Sequence, residues 1–427
     1  MKLSVLLLGI ALAYGCDGQV NPPPDLPLSY AKAWALRNNP RIRSADANAR
    51  AAGSVVKEVR SARLPAVTGL VTGVEAQHST VLAAGTLQTS SLYSRFASGV
   101  AVSQLITDFG RTASLTNSAR LREQAQISNG RTVREQVLLT VEQTYFEALG
   151  GNAARRAAQA AVNNRETTLR QIRALADNAM RSTLDVRFAE VALSQAQLDL
   201  VQAENTAAEA QSNLAAALGL DHAQTFTLTD EPMPAVLEPS PDSRVQEALR
   251  KRPEVATLTQ LRDAATRLAE AEGRLRLPTV SLLGTAGVVP AGDPRLPETY
   301  SAAGLNITIP VLNGGLLSAR RAEAEQRAMA ADSDLRELMN QVAREVRDAW
   351  LQANTAAQRL DVTTRLLAQA TEALRLAQTR YDAGLGSIVE LSQAQLNQTS
   401  ADIQNATARY EYLTRRAALD YASGDLQ

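Results

Sequence analysis

Apolar residues recur every seven positions in the last third of the chain, on both sides of a short break. Gly384 and Gly386 form this break, inside a run from Gly314 to Ser423 that contains no proline. A seven-residue apolar repeat is typical of a helix packed against a partner in coiled-coil fashion. The pattern predicts a helix of about 67 residues, roughly 100 Å long, and a second helix that folds back along it. The repeating positions are Leu360, Leu367, Leu374 and Tyr381, then Val389, Leu396, Ile403, Tyr410 and Ala417.

The first half of the chain shows the same succession of helical patterns. One covers residues 29–63, is interrupted at Asn39–Pro40, and ends at Pro65. A longer one runs from Gly110 to about Asp177. After a break at residues 178–182, a returning arm again has a seven-residue period. Its repeating positions are Val186, Leu193, Leu200, Ala207 and Leu214.

Landmarks that recur at a nearly constant spacing in the two halves indicate an internal duplication. They pair Pro40 with Pro253, Pro65 with Pro278, Gly110 with Gly314, and Asp185 with Glu390. A repeat this long is a duplicated half of a domain and not a solenoid unit. We therefore predict a first repeat at residues 29–219, a proline-containing linker at 220–242, and a second repeat at 243–424.

Between the helices of each repeat, the sequence changes to Val, Thr, Ser and Gly with a two-residue alternation. The change predicts strands at 66–78 and 93–105, and again at 278–289 and 300–311. In the last strand, Leu305 and Ile307 alternate with Asn306 and Thr308. One apolar and one polar face fits a barrel wall between lipid and water, and it fits a small soluble four-stranded sheet equally well. Four strands alone cannot close a barrel in lipid.

Composition excludes several classes of function. The 427 residues carry 44 Lys and Arg against 44 Asp and Glu, so no basic stripe of a nucleic-acid-binding protein is expected. Two histidines and one cysteine argue against a His/Cys metal site or a disulfide framework. Acidic residues occur without an accompanying base or nucleophile. We therefore expect no enzyme activity and no cofactor.

The N-terminus reads as an export signal. Residues 1–16 contain Lys2 and then an apolar core up to Ala13, which is typical of a secretory signal peptide. Cys16 follows in a context that resembles a bacterial lipobox, so we expect its lipidation. The alternative is cleavage after Ala13, which leaves a free thiol. Residues 17–28 are proline-rich and predict an extended tether.

In this order and spacing, these features resemble the TolC-type outer-membrane efflux family over nearly all of residues 28–424. The resemblance implies a mainly α fold with transmembrane β structure. Long antiparallel coiled-coil helices form an α-barrel, and each chain contributes four strands to a trimeric 12-stranded β-barrel. Residues 220–242 become an equatorial linker. The features that carry the resemblance are Asn38–Pro40, Arg63–Pro65, Arg276–Pro278, Gly110, Gly314 and the segment Tyr381–Leu391.

The function implied by the resemblance is an outer-membrane exit duct of a tripartite efflux pump or a type I secretion system. Its partners are two further copies of the chain, a periplasmic adaptor, an inner-membrane transporter and outer-membrane lipid. The alternative is an exported periplasmic coiled-coil scaffold or adaptor without a pore. The two differ in whether the strands lie in lipid.

The resemblance also implies a gate at the periplasmic helix tips. Glu390 falls on the first position of the family's acidic ring, and Gln393 on the second, where an aspartate is usual. Tyr381 and Asp185 fall on positions that hydrogen-bond across the two helix pairs and hold the tip shut. The simpler interpretations are a solvated charge for Glu390 and a heptad packing residue for Tyr381.

Two further expectations concern the same tips. Gly386 stands at the family's arginine lock position, so a second lock is absent or supplied by Arg181 or Arg187. The two tip segments also match the place where an adaptor hairpin docks, and their small residues permit close approach. The predicted docking positions are Ala179, Met180, Ala383, Gly384, Leu385 and Gly386.

Overall fold

The computed structural model describes residues 22–75, 95–222, 224–291 and 297–426. Two helices of 67 residues each form the long axis, shorter helices pack beside them, and a four-stranded sheet lies at one end. No helix in these ranges is long and apolar enough to cross a membrane. The helices are α1 (Leu28–Asn38), α2 (Pro40–Ser61), α3 (Arg111–Asp177), α4 (Thr183–Ala217), α5 (Asp242–Lys251), α6 (Pro253–Gly273), α7 (Leu316–Asp382) and α8 (Ile388–Ser423). The strands are β1 (Asp25–Leu26), β2 (Ala66–Val74), β3 (Arg95–Thr107), β4 (Thr227–Leu228), β5 (Thr279–Ala291) and β6 (Thr299–Thr308).

The long helices of the two halves, α3 and α7, correspond position by position, since each is 67 residues long. Each begins after two residues with a left-handed backbone: Phe109 and Gly110 (φ 53° and 90°) before α3, and Gly314 and Gly315 (φ 57° and 84°) before α7. The match of Gly110 with Gly314 is therefore wrong by one residue, and Gly110 corresponds to Gly315. Phe109 of the first repeat thus stands where the second repeat has Gly314. The left-handed conformation of Phe109 is one that residues other than glycine rarely adopt.

Small residues, not the heptad leucines, occupy the most buried positions of the lower part of α7. Ala356, Thr363, Ala370 and Ala377 are buried at seven-residue spacing, while the heptad leucines Leu360, Leu367 and Leu374 are half-buried beside them. Asn405 of α8 donates across this seam to the Thr363 hydroxyl at 3.4 Å. Because small side chains let the helices approach closely, the leucines keep apolar surface available for another neighbour.

Each returning helix, α4 or α8, ends against the break between two shorter helices that lead towards the sheet. These upper helices are α1 and α2 in the first repeat and α5 and α6 in the second. The Asn39 side chain, between α1 and α2, donates to the Ala217 carbonyl at 3.0 Å. Gly219 has φ 84°, and a Cβ there would lie 3.2 Å from the Asn39 Cα. In the second repeat, a Cβ on Gly424 would lie 3.4 Å from the Arg252 backbone nitrogen. Upper and lower half-helices therefore stack end to end in both repeats.

The four long strands form one antiparallel sheet in the order β2-β3-β5-β6. Its register places most of the apolar side chains on one face and most of the polar ones on the other, with Leu70 and Leu283 as apolar exceptions on the polar face. The apolar face carries Val67, Val71, Val100, Val102, Val280, Leu282, Val288, Leu305 and Ile307. The other face carries Thr68, Thr72, Ser103, Ser281, Thr285, Asn306 and Thr308. Every residue of β6 is exposed, so nothing in the described chain covers either face there.

The observed strand ends differ from the predicted ones by a few residues. β6 ends at Thr308 and not at residue 311, because Pro310 has no N–H to give to a sheet. β3 and β5 each extend two residues past the predicted ends, to Thr107 and Ala291. Residues 76–78 and 93–94 of the predicted first strand pair lie outside the described ranges.

A belt around the middle of the helices is held by one aromatic side chain from each repeat. The Tyr145 hydroxyl is fully buried, lies 2.9 Å from the Leu26 carbonyl oxygen, and accepts from the Thr229 N–H at 3.0 Å. Trp350, the equivalent residue of the second repeat, donates its Nε1–H to the Glu238 carbonyl at 3.0 Å. The predicted tether and linker therefore meet as a short parallel pair, β1 with β4.

Candidate functional site at the helix tips

The two tips farthest from the sheet are built alike. At each, the long helix ends with a residue in the left-handed conformation, Ala179 (φ 55°) and Gly384 (φ 74°). The next residue donates its N–H to a carbonyl five positions back, Met180 to Leu175 and Leu385 to Arg380, both at 2.8 Å. This is the hydrogen-bond pattern of a Schellman motif. Met180 and Leu385 both point into solvent.

Serine caps start both returning helices. The Ser182 hydroxyl accepts from the Leu184 N–H at 3.1 Å, and the Ser387 hydroxyl accepts from the Glu390 N–H at 3.1 Å. Asp185 and Glu390 lie in the first turns behind these caps. A carboxylate there interacts favourably with the positive end of the helix dipole. Both acids thus have a structural role besides any role in a gate.

A small apolar core lies directly beneath the tips and joins all four lower helices. Tyr381, the last heptad residue of α7, is 4% exposed in the centre of this core. Burial raises the pKa of its hydroxyl. The Arg181 guanidinium opposes this rise, and the Asp185 carboxylate adds to it. The other buried members are Leu169, Ile172, Ala189, Ile388 and Leu391.

The predicted hydrogen bond between Tyr381 and Asp185 is not formed. The Tyr381 hydroxyl is buried and has no hydrogen-bond partner among the described residues. The two helix pairs are α3 with α4 and α7 with α8. At the tip Arg181 connects them instead, because its Nη2 donates to the Tyr381 carbonyl at 2.7 Å. The Arg181 guanidinium carbon also lies 4.2 Å from the centre of the Tyr381 ring, which is a favourable cation–π distance.

Arg181 occupies in the first tip the place that Gly386 occupies in the second, since each comes two positions after the left-handed residue of its tip. A Cβ on Gly386 would lie only 3.2 Å from the Tyr381 backbone nitrogen and 3.3 Å from the Arg380 Cβ. Arg187, the other candidate, is occupied elsewhere: its Nη1 pairs with Glu190 at 2.9 Å. Of the two arginines considered, Arg181 makes the contact.

The predicted ring residues lie on the exposed side of α8. Arg380 pairs with the Glu390 carboxylate at 3.2 Å across the turn. Because both side chains are about half exposed, this pair contributes little stability. Gln393 donates to Asn397 one turn further on, at 2.9 Å. It lines a groove of about 230 Å³ between α4 and α8.

Arg165 is a polar residue of this region that the sequence pattern did not single out. It is 8% exposed and packs between α3 and α8, where it contacts the Gln395 side chain and the Ser392 carbonyl. Burial lowers its pKa. Ala158, Arg165 and Ile172 are seven residues apart, so an arginine in a buried heptad position was the available signal.

The tips bring together an apolar core, the Arg181 contact and two acidic side chains at helix starts. The described residues contain no group of three or more His, Cys, Asp or Glu side chains that could hold a metal ion. The predicted lipidation site, Cys16, lies outside the described residues. The site is therefore the cluster of tip residues around Tyr381.

The family described as outer membrane efflux protein matches residues 34–220 and 244–425, which is most of the chain. The chain belongs to this family. Among its relatives, protein CyaE of Bordetella pertussis is 28% identical over 434 residues, covering 97% of this chain and 88% of CyaE. Outer membrane protein OprJ of Pseudomonas aeruginosa is 26% identical over 368 residues, covering 84% of this chain and 76% of OprJ.

The fold is also shared with solved structures of outer-membrane proteins. A membrane protein from Pseudomonas aeruginosa superposes with a TM-score of 0.80, at 23% identity and with 93% of each chain covered. Membership of the outer membrane efflux protein family places this chain in the bacterial outer membrane, with its helical part in the periplasm. It is a transport family, and the chain is an outer-membrane channel component. The alternative of a scaffold without a pore does not agree with this membership.

Proposed function

We propose that three copies of the chain close into one continuous duct, the outer-membrane exit of a tripartite efflux pump or type I secretion system. The observation that carries this proposal is the amphipathic sheet with two unpaired edges. The edges are β2 and β6, and unpaired strand edges are not viable in lipid. Pairing β6 of one copy with β2 of the next removes them all, and three copies give twelve strands.

The helical layer supports the same closure. Between the belt and the tips, the helices lie side by side in the order α4-α3-α8-α7. The two helices at the edges of this layer are therefore α4 and α7. α4 exposes an apolar stripe with a seven-residue period, in which Val191 is 68% and Leu198 is 63% exposed. α7 exposes Leu351, Val362, Leu366 and Leu376. Two different apolar edges suit a head-to-tail interface, and such an interface forms a ring when the rotation between copies closes.

The duct is a passive conduit whose inner end is held by the tips. In each copy, Arg181 joins the first tip to the second through Tyr381, and Asp185 and Glu390 supply negative charge beside it. Opening requires the two helix pairs to separate, so the Arg181 contact must break. Cation or substrate passage then depends on the polarity and charge of the lining.

A periplasmic adaptor docks on the tips and couples the duct to an inner-membrane transporter. Met180 and Leu385 support this part of the proposal, because they are apolar, exposed and equivalent in the two repeats. A photo-crosslinker at either position should capture the adaptor, whereas one at Val236 in the linker should not. Capture from Val236 alone would contradict docking at the tips.

The test of the closed ring is the native mass of protein extracted with detergent from a separated outer-membrane fraction. We expect three copies of the mature chain, which is slightly lighter than the 45.7 kDa of all 427 residues, plus bound detergent. The double variant Val191→Asp/Leu198→Asp should lose the trimer, because it buries charge in the proposed interface. Val236→Asp, an equally drastic change at an exposed linker position, should keep it. A wild-type monomer or dimer in the soluble periplasmic fraction would refute the proposal.

A further inference from the structure

We propose that an arginine-lined cleft at the foot of the sheet binds the phosphate of an anionic phospholipid in the periplasmic leaflet. The inference requires only that the strands lie in the outer membrane, and it is independent of the gate at the tips. The cleft has a volume of about 320 Å³ and lies between α2, the segment leading to β2, and α3. Its lining residues are Arg60, Arg63, Leu64, Thr116, Asn117 and Arg120.

The three arginines have no carboxylate partner among the described residues. None of Arg60, Arg63 and Arg120 forms an ion pair with a described residue, and all three are exposed. Arg120 makes one long contact, from its Nη1 to the Asn117 Oδ1 at 3.5 Å. A guanidinium presents a rigid fork of donors that matches the oxygens of a phosphate group. The cleft therefore concentrates positive charge that no described carboxylate neutralises.

The second repeat provides an internal comparison, because it balances part of the positive charge at the equivalent place. When α3 is aligned with α7 from their first residues, Glu325 stands where the first repeat has Arg120. Glu325 pairs with Arg321 at 2.7 Å, and Glu272 pairs with Arg320 at 3.7 Å. When α2 is aligned with α6 from their first prolines, Glu272 corresponds to apolar Val59. In the second repeat, Arg320 and Arg321 thus have carboxylate partners, whereas Arg60 and Arg120 of the first repeat have none among the described residues. Arg276, which corresponds to Arg63, is exposed as Arg63 is.

The position of the cleft selects a lipid over a free anion. Arg60 lies in the last turn of α2, and Arg63 lies three residues before β2 begins at Ala66. Leu64 forms an apolar rim that is 58% exposed, and the apolar face of the sheet starts beyond it. The headgroup layer on each side of a bilayer is only about 5–7 Å thick, and arginine side chains extend along such boundaries. Charge beside an apolar rim matches a phosphate that carries acyl chains.

The test uses delipidated full-length protein in detergent and native mass spectrometry with phosphatidylglycerol or phosphatidylethanolamine added. The wild type should retain the anionic lipid in preference to the zwitterionic one. Arg60→Gln/Arg63→Gln/Arg120→Gln should lose this preference, on the order of fivefold for each arginine removed. Arg320→Gln/Arg321→Gln, which removes paired arginines from the second repeat, should retain it. Single Arg63→Gln protein serves if the triple variant does not fold.

Three results would overturn the inference. Equal retention of both lipids by the wild type would mean that the cleft does not select an anionic headgroup. Full displacement of phosphatidylglycerol by an equal concentration of inorganic phosphate would mean a site for free phosphate. Dissociation of the triple variant into monomers, while the control keeps its oligomeric state, would mean that the arginines pair with a neighbouring copy.

Discussion

Arg181 and Tyr381, which belong to different repeats, form a polar contact between the two helix pairs at the tip. The Arg181 guanidinium lies 4.2 Å from the ring centre and donates to the Tyr381 carbonyl at 2.7 Å. A cation–π contact of this kind contributes about 0.5–2 kcal/mol, depending on its exposure to solvent. The tyrosine thus acts through its ring and backbone, while its hydroxyl makes no hydrogen bond to a described residue.

Tyr381→Phe should therefore leave the tip as stable as before, or slightly more stable. The substitution removes a buried hydroxyl that has no hydrogen-bond partner among the described residues. Arg181→Gln should weaken the tip by about 1 kcal/mol. Hydrogen exchange of the backbone amides around Leu169 and Leu391 measures both effects. If Tyr381→Phe and Asp185→Asn instead raised exchange as much as Arg181→Gln, a hydrogen bond between Tyr381 and Asp185 would be the true lock.

Tyr145→Phe should destabilise the belt by about 1–3 kcal/mol, because the buried Leu26 carbonyl and the Thr229 N–H lose their shared partner. Trp350→Phe should cost less, since its single bond to Glu238 lies at an exposed position. Thermal unfolding of the purified protein in detergent measures the difference. Equal losses for the two variants would show that the aromatic packing, and not the hydroxyl, holds β1 and β4.

Gly287→Ala should destabilise the sheet by about 1–3 kcal/mol, the usual cost of overpacking. A Cβ on Gly287 would lie 2.5 Å from the Ser98 carbonyl oxygen and 2.5 Å from the Tyr300 hydroxyl. Gly304→Ala in β6 is the matched control, because no described atom lies within 4 Å of its Cβ position. Resistance of the folded barrel to heating in detergent measures both. Identical behaviour of the two variants would contradict the observed packing of Tyr300 across β5.

The raised pKa of the Glu135 carboxyl predicts that the stability of the protein depends on pH. Burial raises the pKa of its carboxyl from 4.5 to about 7, and the Glu254 carboxylate adds to the rise. The folded protein therefore holds this proton more tightly than the unfolded chain does. The stability that the protonated Glu135 carboxyl contributes is fully present below pH 4.5 and is lost as the pH rises through about 7. Because the carboxyl is only partly buried, the loss should not exceed about 2 kcal/mol.

Unfolding free energies of the wild type and Glu135→Gln across this range measure the effect. The variant should show a smaller fall in stability between pH 4.5 and 7, since its amide does not titrate. Glu147→Gln, at an exposed position of the same helix, is the control and should follow the wild type. Parallel curves for all three proteins would assign the pH dependence to other groups.

The helices and strands could be predicted from the sequence because local patterns determine them. The end of α7 at Asp382 and the start of α8 at Ile388 follow from the two glycines between them. The alternation in β5 and β6 likewise predicts which residues share a face, and the register agrees. Gly314 misled the comparison of the repeats, because two adjacent glycines leave the position of a helix start ambiguous by one residue.

The contacts between distant residues could not be read from local patterns. Nothing near Arg181 indicates that it lies over Tyr381, and only the packed tip brings the two together. Likewise, no pattern around Tyr145 indicates that its hydroxyl holds Thr229. The sequence does place Tyr381, Asp185 and Glu390 at the tips, because they lie next to recognisable helix breaks. Which of these side chains contact each other depends on how the two helix pairs pack at the tip.

The conductance of the purified trimer in planar bilayers tests whether the chain forms a duct that its tips hold shut. We expect discrete channels of low conductance for the wild type, and a several-fold increase for Arg181→Gln, because the tips then separate more readily. Arg187→Gln changes a similar charge at the same tip without touching Tyr381, and it should behave like the wild type. If no channels formed, or if Arg181→Gln conducted no better than Arg187→Gln, a duct closed by Arg181 would be contradicted.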